Sequence, residues 1–156
     1  MLGDQLQVFS SSQSEPGISQ MTADLSGLGE ILQGTGSGAV LAGGGQNDVL
    51  ISGGGSDRLR GGDGTDMFIF NPELAAADGK LGRVLDFNPA EDHLDLSALP
   101  FLYDLSQVTV DSTATGAVLR YGGFWLQLDR MGGGSLERSD FSTGVILNAQ
   151  HLMLGT

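Results

Sequence analysis

Residues 25–69 read LSGLGEILQ (25–33), GTGSGAVLA (34–42), GGGQNDVLI (43–51), SGGGSDRLR (52–60) and GGDGTDMFI (61–69). These five consecutive blocks of nine share one register. The eighth position runs Leu32, Leu41, Leu50, Leu59, Phe68, and the sixth runs Glu30, Ala39, Asp48, Asp57, Asp66. The last block fits the nonapeptide G-G-x-G-x-D-x-U-x, with U a large apolar residue, at every fixed position. A flexible Gly/Ser-rich linker has no physical reason to hold an apolar residue in register through all five blocks.

The period dictates a geometry. The x-U-x triplet is a short strand whose central side chain points inward and whose neighbours point outward; Arg58 and Arg60 flank Leu59 in this way. The six residues before each triplet must reverse the chain tightly, which glycine permits. Two blocks then make one coil, and blocks of equal parity stack in parallel sheets that face each other across the U residues. This places the Asp48 and Asp66 loops together on one side and the Asp57 loop on the other. Stacked carboxylates repel unless a cation lies between them. Carboxylates plus the carbonyls of glycine turns form an all-oxygen shell, which suits Ca²⁺ at about 2.3–2.6 Å better than octahedral, water-retaining Mg²⁺.

The rest of the composition agrees. The chain has 156 residues, 26 of them Gly, no Cys, a net charge of −12 and a pI near 4.1. Such a charge argues against nucleic acid or an anionic membrane as the main partner. A secreted chain of this size without disulfides often needs another staple, for which metal is the obvious candidate, whereas a cytosolic protein would need none. Met1–Gly17 lacks the cationic start and apolar core of a cleaved signal peptide, and no run reaches the roughly 18 apolar residues of a membrane span. Catalysis is not expected. His93 and His151 are the only histidines, no H-E-x-x-H or G-x-G-x-x-G occurs, and Gly79-Lys80 lacks the surroundings of a phosphate loop. His93 reads as a surface residue.

Outward from the array, residues 1–24 read as a cap or flexible segment, 25–70 as a parallel β-roll, and 71–156 as a C-terminal β region. Asn71–Lys80 breaks the period, and Pro72-Glu73-Leu74 begins one helical turn or two. Beyond Leu99 the pattern turns antiparallel, with strands at Val108–Val110, Ala117–Tyr121 and Phe124–Leu128 and a Gly122-Gly123 hairpin turn. Trp125 is expected in a core, Ser135–Phe141 as a capped turn, and Val145–Leu147 as a last strand. The class is all-β, with a sandwich-like C-terminal part.

The nonapeptides resemble the repeats-in-toxin (RTX) family of calcium-binding, type I-secreted bacterial proteins. GRVLDFNPAEDHLDLSAL, residues 82–99, is similar to the segment that follows the repeats in serralysin-type proteases and alginate epimerase R-modules. The resemblance implies a secreted or cell-surface module that folds on Ca²⁺, with an uncleaved C-terminal region read by a type I secretion apparatus; from its residues alone Asn148–Thr156 reads equally as a plain disordered tail. It implies one ion site made by Gly43, Gly45 and Asp48 with Gly62, Gly64 and Asp66. On the opposite side Ser52, Gly54 and Asp57 need a downstream partner, for which Asp86 or Asp92 is the candidate. Turn and capping chemistry is an equal reading of Asp86, Asp92 and Asp95. The array departs from the family pattern at Glu30, Ala39, Gln46 and Ser52, so about one to three ions are expected, with Asp48–Asp66 the surest site. The alternative function is a surface or assembly subunit, or a glycan-binding module, presenting an outward face such as Arg58 and Arg60.

Overall fold

The computed structural model describes residues 20–22, 29–36, 38–141 and 146–147. Twelve strands are found among them: β1 (Gln20–Thr22), β2 (Ile31–Gln33), β3 (Val40–Gly44), β4 (Val49–Ile51), β5 (Arg58–Gly62), β6 (Met67–Ile69), β7 (Lys80–Phe87), β8 (His93–Asp95), β9 (Thr109–Ser112), β10 (Gly116–Tyr121), β11 (Phe124–Arg130) and β12 (Ile146–Leu147). The described residues are all-β, with three 3₁₀ turns and no α-helix, so none of their helices is long and apolar enough to cross a membrane.

Successive strands of the array alternate between two sheets. One is ordered β2-β4-β6-β8-β12, the other β1-β3-β5-β7-β11-β10-β9. Leu32, Leu50 and Phe68 lie directly opposite one another in the first sheet, and Leu41 and Leu59 do so in the second. All five are fully buried, each worth about 1.5–3 kcal/mol of burial. Their flanking residues alternate outward, so Arg58 and Arg60 are exposed on either side of Leu59. Val84 and Leu94 carry the two columns into the next coil.

The coil preceding β7 is longer than the others. Asn71 caps a 3₁₀ turn at Pro72–Leu74, its Oδ1 accepting from the Glu73 amide at 2.9 Å. This insertion puts Val84, rather than Ala77 one regular period on, opposite Leu59. Leu81 and Phe87 then join the core.

The sequence separates a parallel coil from a sandwich-like C-terminal part; the structure joins them in one sheet. β7 pairs in parallel with both β5 and β11, and β9–β11 continue that sheet as an antiparallel meander. The β10–β11 turn is the Gly122-Gly123 hairpin, with Tyr121 opposite Phe124 and Gly122 at φ 59°. Trp125 departs from expectation. Leu126 and Leu128 take the inward positions of β11, so Trp125 sits half-buried on the outer face. There its indole NH donates to Asp78 O at 3.2 Å, and Lys80 Nζ lies 5.2 Å from the ring centroid. The turn foreseen at Ser135–Phe141 is the 3₁₀ segment Arg138–Asp140. Of the last strand, Ile146–Leu147 pairs in parallel with β8. Apart from β1, the readings of residues 1–24 and Asn148–Thr156 lie outside the described residues.

Candidate metal centre

The parallel stacking generates two columns of loops. On one side the sixth-position residues Glu30, Asp48 and Asp66 stack, and Asp92 follows them. The backbone bonds Val49 N to Glu30 O, Met67 N to Asp48 O and His93 N to Asp66 O, at 2.7–2.8 Å, fix that succession. Each carboxylate reaches back one coil. Asp48 Oδ1 accepts from the Glu30 amide at 2.8 Å, Asp66 Oδ1 from the Asp48 amide at 2.9 Å, and Asp92 Oδ1 from the Asp66 amide at 3.0 Å.

The second carboxylate oxygens differ sharply. Asp92 Oδ2 accepts from the Asn88 amide at 2.8 Å, closing its own turn. Asp48 Oδ2 and Asp66 Oδ2 are buried without a hydrogen-bond partner. The third such oxygen among the described residues, Asp129 Oδ1, belongs to a carboxylate already paired with Arg83 at 2.7 Å. Asp48 and Asp66 are 2% and 0% exposed, and among the described residues neither is paired with a lysine or arginine. Leaving a buried charged oxygen unpaired is costly.

The glycines shape this place. A Cβ on Gly43 would collide with Asp48 Oδ2, and one on Gly61 would collide with Asp66 Oδ2. The Gly61 carbonyl oxygen also lies 2.9 Å from the Gly43 Cβ position. Gly62 and Gly64 adopt φ 92° and 106°, the left-handed region in which side chains are disfavoured. Gly43 and Gly45 belong to the upstream loop, Gly62 and Gly64 to the one stacked on it. Nothing lies within 4 Å of a Cβ at Gly45, so space does not require glycine there.

Burial raises the carboxyl groups of Asp48, Asp66, Asp86 and Asp92. Asp66 is pushed up from 3.8 to about 7, by desolvation first and then by the charges of Asp92, Asp48 and Asp86, against the lowering effect of the Asp48 amide. Asp92 rises to about 6, again chiefly by desolvation. Asp48 and Asp86 are raised for the same leading reason.

Asp86 and Asp92 do not close the Asp57 loop. Asp86 stands near the end of β7, where the chain has crossed to the Asp66 side, and its two oxygens accept from the Gly61 and Gly62 amides at 3.0 and 2.9 Å. Asp92 belongs to the Asp66 column. The residue one coil on from Asp57 is Gly82, because Arg83 N donates to Asp57 O as Arg58 N donates to Ala39 O. The long insertion at Asn71–Gly79 therefore leaves no carboxylate above Asp57. Ser52, Gly54 and Asp57 do come together, since the Ser52 hydroxyl lies 2.9 Å from Gly54 O and 3.4 Å from Asp57 Oδ2. Asp95 makes a turn bond, accepting from Ser97 N at 2.9 Å.

Sequence reasoning missed two contributors. One is Gly61, whose signal was its place as first glycine of the best-formed block. The other is the double amide grip of Asp86, which no local motif announces. Among the described residues no three His, Cys, Asp or Glu side chains are grouped to hold a metal; two carboxylates with backbone carbonyls do not require such a group. The chain matches no family model and no curated protein.

Proposed function

We propose that this chain is a calcium-binding module of RTX type, a β-roll in which Ca²⁺ joins the Asp48 and Asp66 loops and drives folding outside the cell after type I secretion. One observation carries the reading: two buried carboxylate oxygens in stacked loops, Asp48 Oδ2 and Asp66 Oδ2, have no protein donor. Glycines keep the space beside both free of side chains. The Asp48 and Asp66 carboxylates would hold the ion, with carbonyls drawn from Gly43, Gly45, Gly62 and Gly64 as the family resemblance implies. Bound calcium supplies the positive charge these oxygens lack.

An all-oxygen donor set favours a hard cation over zinc or copper. Before calcium is met, carboxylates that repel one another oppose closure of the coil, which suits passage through an exporter. Millimolar external calcium then couples binding to folding. The module is non-catalytic in this reading. The test is a calcium titration followed by far-UV circular dichroism and calorimetry. Saturable binding with a gain of β-structure is expected, reversed by chelation; an unchanged spectrum without binding heat would refute it.

A second reading, an assembly or glycan-binding surface, is favoured by one feature. Arg58 and Arg60 stand exposed on the outward face of β5, whereas Arg83, directly opposite Arg58 on the neighbouring strand, is already paired with Asp129. Binding of an acidic glycan by the calcium-loaded protein, lost in Arg58→Ala with Arg60→Ala, would establish it.

A further inference from the structure

The Asp57 carboxylate is as deeply buried as that of Asp66, yet its oxygens are satisfied in another way. Oδ1 accepts from the Ala39 amide at 2.8 Å, and Oδ2 accepts from the Gly53 amide at 2.6 Å with the Ser52 hydroxyl 3.4 Å away. Ser52 Oγ itself lies among three oxygens: Gly54 O at 2.9 Å, Leu81 O at 3.3 Å and Asp57 Oδ2. Two carbonyls from successive coils and one carboxylate oxygen converging on a point are what a hard cation would gather. Here the point is filled by a hydroxyl, which is 2% exposed in total with its residue.

We infer that the Asp57 side of the coil is built to close without a metal ion, with Ser52 Oγ standing where a cation would otherwise sit. This rests on the calcium reading of the opposite side and deepens it, because it makes the module calcium-dependent on one side only. Three differences between the sides support it. Position one of the block is serine here and glycine at Gly43 and Gly61. The second-position amide, Gly53 N, serves its own loop's aspartate, whereas its counterpart Gly62 N is taken by Asp86. The next coil presents Gly82 rather than a carboxylate, so no second negative charge has to be neutralised. Serine suits the role because its hydroxyl donates to one of the surrounding oxygens and accepts from the Gly54 amide at 3.3 Å, whereas glycine would leave the carbonyls facing a gap.

The experiment is calcium stoichiometry, by calorimetry and by native mass spectrometry, for the full chain and its Asp57→Asn, Ser52→Ala and Asp66→Asn variants. Asp57→Asn and Ser52→Ala are expected to bind as many ions as the parent, with affinity changed less than about threefold. Asp66→Asn is expected to lose an ion. Loss of one ion in Asp57→Asn or in Ser52→Ala would overturn the inference while leaving the calcium reading intact. If the parent binds no calcium, the calcium reading fails and thermal unfolding decides the Asp57 claim. A fall in Tm of about 3–6 °C in Asp57→Asn supports it, and an unchanged Tm overturns it.

Discussion

Asp66→Asn should change sign with calcium. The amide keeps the shape of the side chain and an Oδ1 that accepts from the Asp48 amide, the bond measured at 2.9 Å. What it removes is a charge whose pKa is pushed from 3.8 to about 7 by burial and by neighbouring carboxylates. At about 1.4 kcal/mol per pKa unit, keeping Asp66 ionised at neutral pH costs at most about 4 kcal/mol. Solvent reaching the loop edge screens part of that, so a gain of about 1–2 kcal/mol is the working figure for the calcium-free protein. For a chain of this length the gain is about 2–8 °C in Tm. In calcium the same substitution deletes one of two charged ligands, and affinity should fall at least about tenfold, or 1.4 kcal/mol. The assay is urea unfolding in chelator and in millimolar calcium. A protecting osmolyte would be added in both arms if the calcium-free folded fraction is small. Stabilisation in chelator with destabilisation in calcium is the expected pair of results. Equal destabilisation in both arms would refute the idea that Asp66 carries an unneutralised charge awaiting a cation.

The same carboxylates set a pH dependence. Because the folded pKa values of Asp66 and Asp92, about 7 and about 6, lie above the ordinary 3.8, the calcium-free folded state holds more protons than the unfolded chain between those limits. Its stability contribution from these groups is therefore fully present below about pH 3.8 and lost as pH rises to about 7. Saturating calcium should flatten that slope, and unfolding midpoints measured across this range with and without calcium check it. Gly61→Ala should abolish calcium binding or folding, since the new Cβ collides with Asp66 Oδ2. Gly45→Ala, with open space around it, should shift stability by no more than about 0.5 kcal/mol; equal effects in calorimetry and unfolding would contradict the site's shape.

The parallel array was legible because its information is local and repeated. Leu32 to Phe68 at every ninth position state both strand and inward face, and Arg58 and Arg60 state the outward one. The Asp48–Asp66 stacking followed from parity alone. What could not be read was the consequence of the Asn71–Gly79 insertion. It lengthens one coil, brings Gly82 rather than a carboxylate to the position above Asp57, and sends Asp86 to the amides of Gly61 and Gly62 on the other side. Trp125 was misplaced because ring size argues for burial, while the inward positions of β11 go to Leu126 and Leu128. Nor does any short pattern say that β7 would carry parallel partners on both edges and fuse the coil to the meander.

The central claim is that a cation belongs between the Asp48 and Asp66 loops, and a crystal structure grown in calcium tests it most directly. The account predicts an ion contacting Asp48 Oδ2 and Asp66 Oδ2 at about 2.3–2.6 Å, with loop carbonyls completing an oxygen shell. Water hydrogen-bonded to both oxygens, with no ion between the loops at saturating calcium, would contradict it.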